Sequence, residues 1–266
     1  MGIEFFGGTS REAVDEITRA GGLLVAPAAP SMINLCRDEA YRRALLSAEL
    51  AIADSGFMVL LWKFFTGETI PRISGLEHVK RLLEHESVRQ PGAMVWVVAT
   101  ERSREKLVEF LALRQRTQDD QSPRAQLPLA AENIYIAPKY GRPVVDEMLL
   151  QIVSQIRPRH VVIAIGGGVQ DKLGQHLLEQ LDYRPAVHCI GAALGFLTGD
   201  QIRIPDWADR FYFGWFFRSL AQPRIFIPRF WSARRLPWMI WRWREKLPPL
   251  ERKQKAKVES GHGERS

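Results

Sequence analysis

Short runs of wholly apolar residues recur along this chain, each followed by a segment of helical periodicity, and this alternation limits the fold more than any other feature. Ala93–Ala99 (AMVWVVA) and Val161–Ile165 (VVIAI) are apolar at every position. A strand with one face in water alternates polar and apolar residues. One that is apolar throughout is buried on both faces, as in a parallel sheet covered by helices. Gly22–Val25, Leu50–Asp54, Asn133–Ala137 and Val187–Ile190 read as the remaining strands. Met32–Leu50, Leu76–Glu84, Arg102–Arg116, Pro143–Ile156 and a segment after Gly168 read as helices. Residues 117–131 are polar, carry two prolines and read as a surface loop. The expected fold class is α/β, a mainly parallel sheet sandwiched by helices.

In such sheets ligands bind beyond the carboxyl ends of the strands. The loops to consider are therefore 26–30, 54–57, 99–103, 137–142, 166–171 and 191–199. Asp54, in IADSG, ends a strand where a carboxylate can act as a general base, and Asp-Ser-Gly is equally ordinary turn chemistry. Arg72, in PRISG, can grip a phosphate in two-pronged geometry or simply face solvent. Gly166-Gly167-Gly168 follows an apolar strand and opens a helix. That arrangement suits a diphosphate at the helix N-terminus, and a tight strand–helix turn explains it as well. Gln170 adds a side chain able to hydrogen-bond a base, sugar or phosphate.

Charge is concentrated at one end. Residues 201–266 hold 15 Lys/Arg against 6 Asp/Glu, and six of the eight tryptophans: Trp207, Trp215, Trp231, Trp238, Trp241 and Trp243. A near-neutral body with a basic, Trp-rich C-terminal appendage is expected, divided as residues 1–200, 201–250 and a disordered charged tail over 251–266. Trp favours the membrane–water interface, and each basic residue near an anionic surface contributes about 1 kcal/mol. The appendage therefore suits an anionic membrane surface better than a nucleic acid, and packing onto the body is the competing role. No run reaches the roughly 18–20 apolar residues of a span, so membrane contact is expected to be peripheral. Cys36 and Cys189 lie far apart with no ligand spacing, and the N-terminus lacks a signal-peptide pattern. A reduced, cytoplasmic protein is expected.

Residues 191–224 carry a specific resemblance. The chain keeps Gly191, Ala193, Phe196, Gly199, Arg203, Pro205 and Trp207 in one register, then Trp215, Arg218, Pro223 and Arg224. This resembles the G-G-A-F-D-F-x-A-G-x-x-x-R-A-P-x-W segment and following stretch of the WecG/TagA/CpsF glycosyltransferases. Asp54 then falls on that family's P-D-G turn, Arg72 and Gly75 on its R-V-T-G, and Gln170 on its G-x-P-K-Q-E, with Asp171 in place of Glu. The resemblance spans about residues 3–230. It implies a Rossmann-like body and an inverting, metal-independent transfer from a UDP-sugar to a polyprenyl-diphosphate-linked acceptor in bacterial surface-polysaccharide synthesis. The enzyme would sit on the inner face of the cell membrane and use no cofactor. Asp54 would be the base, with Arg72, Gln170, Arg203, Arg218 and Arg224 contacting substrate. The chain has no Asp-x-Asp metal motif, so arginines would stabilise the departing diphosphate. Departures are the Ala26-Pro27-Ala28 segment in place of Thr-x-Asn, Ser55 after Asp54, Thr100–Ser103 in place of a glycine-rich loop, Gly168-Val169 in place of Pro-Lys, and Gly195 in place of Asp.

Two rival functions follow from these residues. A catalytically impaired relative that binds a lipid-linked sugar or an assembly partner is favoured by the substituted pocket positions and opposed by Asp54, Arg72 and Gln170. A dinucleotide-dependent oxidoreductase would need the G-x-G-x-x-G that the glycine run lacks. A homo-oligomer is compatible with the sequence.

Overall fold

The structure is a computed structural model that describes residues 1–119, 133–199, 231 and 233–251. Six strands form one sheet in the order β2-β1-β6-β5-β3-β4. They are β1 (Gly22–Val25), β2 (Leu50–Ala51), β3 (Met94–Val98), β4 (Ile134–Ile136), β5 (His160–Ala164) and β6 (Ala186–Cys189). Every pairing is parallel. The outgoing loops therefore lie along one edge of the sheet, as the apolar runs predicted. β3 leads on to β4 while the adjacent β5 leads the other way to β6, a switch point of the kind where ligands settle.

Alternate strand residues go to opposite layers. Leu23, Val25, Val95, Val97, Val161, Ile163, Val187 and Cys189 meet α3 (Glu39–Leu46), α4 (Gly56–Thr66), α7 (Glu147–Ile156) and α8 (Val169–Gln180), numbering the helices after α1 (Ser10–Ala20) and the short α2 (Ala29–Met32). Val162, Met94, Trp96 and Val98 meet α5 (Gly75–Glu84), α6 (Glu101–Asp119) and α9 (Ala193–Leu197). Leu24 and Ala186 meet α1. Capping sets the helix starts. Thr9 and Glu12 form a reciprocal capping box on α1. Asp38, Ser55, Ser74 and Asp146 each accept a backbone N–H in the first turn of α3, α4, α5 and α7.

Two expectations are corrected. Met32–Leu50 is not one helix: Ile33–Cys36 is a 3₁₀ turn, and the Asp38 carboxylate captures the Tyr41 amide to start α3 afresh. The second strand is shorter than Leu50–Asp54. Ile52 makes the last ladder bond, to the Val25 carbonyl, and the Asp54 amide turns back to Ile52. The helices α1 and α4 are additions to the elements expected above.

Part of the basic appendage is packed on the body. α10 (Leu236–Trp243) buries Leu236, Met239 and Ile240 in the main core and touches α4 and α2. Beyond it, the Met1 ammonium donates to the Arg244 carbonyl, Gly2 to Glu245, and Glu251 pairs with Arg37 and Arg235. The disordered tail expected from residue 251 thus leaves Glu251 docked, and residues 252–266 lie outside the described ones.

Helix α8 lies closest to the sheet at Gly174. A Cβ there would come 2.6 Å from Leu23 Cδ1, 3.1 Å from Val187 Cγ1 and 3.2 Å from Cys189 Sγ, all on buried strands. Gly174→Ala is therefore expected to destabilise the protein by about 1–2 kcal/mol in urea unfolding, because overpacking outweighs the better helix propensity of Ala. A stabilised variant would show that α8 can lift without cost.

Candidate functional site

Five loops converge at the carboxyl edge of the sheet, and close contacts tie them together. Asp54 follows β2 and precedes the cap of α4. Its Oδ1 accepts the Gly75 backbone N–H at 2.9 Å, the first residue of α5. The half-buried carboxylate thus sits at a helix N-terminus, where unpaired N–H groups and the helix dipole favour negative charge. Arg72 approaches the same point. Its Nε donates to the Asp54 backbone carbonyl at 3.2 Å, which fastens Arg72 to the backbone of the same turn. The sequence expectation that Asp-Ser-Gly is either a turn or a functional acid resolves into both: Ser55 caps α4, and Asp54 reaches across to α5.

Gly75 in turn packs against the loop after β6. A Cβ on it would lie 3.1 Å from the Ile190 carbonyl oxygen and 3.2 Å from Ala193 Cβ, so a side chain here would push α5 or the loop back by a few tenths of an ångström. On the other side of that loop, Gln170 Oε1 accepts the Gly191 N–H at 3.0 Å. The glycine run is held from beneath: Asp171 Oδ2 accepts the Gly168 N–H at 2.8 Å. Burial pushes the Asp171 carboxyl up to about 6, and its Oδ1 has no hydrogen-bond partner. Ser31 Oγ lies 2.7 Å from where a Gly167 Cβ would be, placing a hydroxyl at the loop that follows the substituted Ala26-Pro27-Ala28 segment.

The structure brings Asp54 and Arg72 together and joins them through Gly75 to the loop at 190–193, which Gln170 supports. Gln170 itself is only 1% exposed, so its first task is to hold Gly191. Arg203, Arg218 and Arg224 lie outside the described residues. At the altered 100–103 loop, Thr100 Oγ1 accepts the Ser103 N–H and starts α6. Among the described residues, no group of three His, Cys, Asp or Glu side chains gathers as metal ligands. The part played by the Gly75 amide is not among the expectations drawn from the residues. Its signal is present in Ser74-Gly75 ahead of an amphipathic run, where Ser74 is a cap and Gly75 the first backbone donor without a partner inside the helix.

The model of the Glycosyl transferase WecG/TagA/CpsF family matches the chain over residues 1–252. No curated protein matches it.

The bond from Gly191 to Gln170 makes a measurable claim. Gln170→Leu keeps the volume and leaves a buried N–H unpaired, so it is expected to cost about 1–3 kcal/mol in urea unfolding. Unchanged stability would mean that Gln170 matters only to ligand.

Proposed function

The chain belongs to the WecG/TagA/CpsF family of glycosyltransferases, and from that membership we propose that it moves a sugar from a UDP-sugar to a polyprenyl-diphosphate-linked acceptor by a single inverting displacement without a metal. The observation that carries this reading is the meeting, at the N-terminus of α5, of the Asp54 carboxylate, which holds the Gly75 amide, and Arg72, which donates to the Asp54 backbone carbonyl. The acceptor hydroxyl attacks the anomeric carbon of the donor from the face opposite the diphosphate. As that bond forms, Asp54 takes the hydroxyl proton and the sugar–phosphate bond breaks. The Gly75 N–H fixes one carboxylate oxygen, which leaves Oδ2 as the atom that takes the proton. Negative charge grows on the departing UDP, and Arg72 answers it together with Arg203, Arg218 and Arg224 of the appendage. Gln170 serves the donor through the 191 loop that it holds.

The acceptor is a lipid, so the site must work at a bilayer. Among the described residues no helix is long and apolar enough to cross a membrane. Two touching helices instead expose large apolar side chains: Phe64 of α4 is 80% exposed, and Trp238 and Trp241 of α10 are 52% and 56% exposed. Lys63, Arg234 and Arg242 lie among them in the chain and are also exposed, which suits anionic headgroups. Trp243 differs, because it packs partly against the main core. This face holds the enzyme peripherally on the inner surface of the cell membrane, with α4 running from it to Asp54.

Turnover of a short-chain prenyl-diphosphate acceptor with a panel of UDP-sugars tests the reaction. Asp54→Asn keeps an acceptor for the Gly75 amide and removes the base, so turnover is expected to fall about 10²–10⁴-fold. Activity of the parent is expected to survive EDTA. Near-normal turnover in Asp54→Asn, or loss in EDTA restored by magnesium or manganese, overturns the corresponding part.

For the membrane face, Phe64, Trp238 and Trp241 changed together to Ser are expected to weaken binding to anionic vesicles more than about tenfold, while turnover on a soluble acceptor persists. Added salt is expected to weaken binding of the parent, since exposed charges are screened over about 8 Å at physiological ionic strength. Undiminished vesicle binding by the triple variant would place the membrane contact elsewhere.

A further inference from the structure

Four of the six histidines of the chain belong to one hydrogen-bonded line beneath α5, in the layer opposite α8. His78 Nε2 of α5 meets His188 Nδ1 of β6 at 3.0 Å. His188 Nε2 meets His160 Nδ1 of the neighbouring β5 at 3.1 Å. His160 Nε2 meets Ser87 Oγ at 2.7 Å, and Ser87 Oγ meets His85 Nδ1 at 2.6 Å. The line reaches the surface where His85 Nε2 lies 3.3 Å from Asp15 Oδ1 of α1. His78, His160 and His188 are fully buried.

The direction of every proton in this line follows from its outer end. The Ser87 backbone N–H donates to His85 Nδ1 at 3.2 Å, so that nitrogen carries no proton. His85 therefore donates from Nε2 to Asp15, and the Ser87 hydroxyl donates to His85 Nδ1. Ser87 Oγ must then accept from His160 Nε2. His160 Nδ1 accepts from His188 Nε2, and His188 Nδ1 accepts from His78 Nε2. The three buried rings are neutral Nε2–H tautomers, and the line ends on His78 Nδ1, a bare acceptor without a partner. Ending on an unpaired acceptor leaves no buried N–H orphaned.

We infer that this line is a positioning array: it fastens the first turns of α5 to the sheet and thereby sets where the Gly75 amide holds the Asp54 carboxylate. The part of this that concerns catalysis rests on the role proposed above for Asp54. Besides the apolar packing of Leu76 and Val79, two contacts locate the N-terminal half of α5 on the sheet side, the close approach of Gly75 to Ile190 and the bond from His78 to His188 one turn later. The second is the polar one, so it fixes rotation as well as distance.

Adding a proton breaks the array. A charged ring donates from both nitrogens, which either opposes two N–H groups or turns His78 Nδ1 into a buried donor with no acceptor. Burial accordingly pushes His78 down to about 4 and His160 to about 3, and holds His188 well below its ordinary value; Arg159 and then the neighbouring histidines add to the effect at His160, and the histidines at His188. Among the described residues, the charged groups around the line include Asp15 from α1, Glu86 between His85 and Ser87, Arg159 ahead of β5, Arg114 from α6, which donates to the Leu83 carbonyl, and the Arg81–Glu84 pair on the outer side of α5. Because the folded values lie below the ordinary histidine value, the stability contributed by the array is full above about pH 6.5 and is lost as the pH falls toward about 4.

Nitrogen-15 spectra of the full chain read the array without any substitution. At pH 7, His78, His160 and His188 are expected to be neutral Nε2–H tautomers; a charged ring or an Nδ1–H tautomer at any of the three overturns the proposal. Amide exchange tests the positioning. His188→Leu removes both bonds, and the Gly75 amide is expected to exchange at least about tenfold faster while amides of α8 keep their rates. His188→Gln can accept from His78 and donate to His160, and is expected to bring Gly75 back to within about threefold of the parent. Uniformly faster exchange across the protein, or a Gly75 rate that does not distinguish Leu from Gln, would reduce the histidines to ordinary core residues. If His188→Leu does not fold, the pair His78→Leu and His78→Gln gives the same comparison at the end of the line. None of these measurements needs turnover, so failure of the array and failure of the proposed reaction are separate results.

Discussion

A sheet of six parallel strands covered on both faces leaves its carboxyl edge as the place where backbone and side chains can meet a polar ligand, and the rest of this molecule is arranged around that constraint. Helices must return every strand to the same starting edge, so each crossover delivers another helix N-terminus to the site. The amides at those N-termini need acceptors. Some find them in local caps such as Ser55 and Ser74. The one on Gly75 finds Asp54, a residue from another loop, and this converts a local requirement of α5 into a link between two parts of the site.

The same logic explains the polar groups buried away from the edge. Strand residues that face the α5 layer should be apolar, yet β5 and β6 place His160 and His188 there. They are tolerated because each ring nitrogen that carries a proton has an acceptor. Asp38 and Lys172, largely shielded, pair at 2.8 Å and join the start of α3 to α8. Asp171 is less completely served: its Oδ1 lacks a hydrogen-bond partner, and burial raises its carboxyl to about 6.

Much of this was legible in the residues and some was not. The strands over 93–99 and 161–165 announced themselves because burial on both faces removes every polar side chain. Asp54 and Arg72 were legible as candidate site residues, but their direct contact was not, since it depends on the chain passing through α4 and returning to a position 18 residues on. Met32–Leu50 misled because its helical periodicity continues through a break that one capping carboxylate, Asp38, imposes. The helix α4 escaped notice for the opposite reason: GFMVLLWKFFT is apolar nearly all round and offers no periodicity to read. The histidine line was invisible because its members stand 110 and 28 residues apart, and nothing local marks a histidine as the partner of another.

Helix α4 deserves to be seen as a spacer of fixed length. It starts two residues after Asp54, and the rise from Gly56 to Phe64 along a regular helix is about 12 Å. A helix does not stretch, so the distance between the carboxylate and whatever surface receives Phe64 is a constant of the fold. On the reading proposed above, a substrate tethered to that surface would have to offer its reactive hydroxyl at that height, and the fold would select acceptors by reach before any side chain inspects their chemistry.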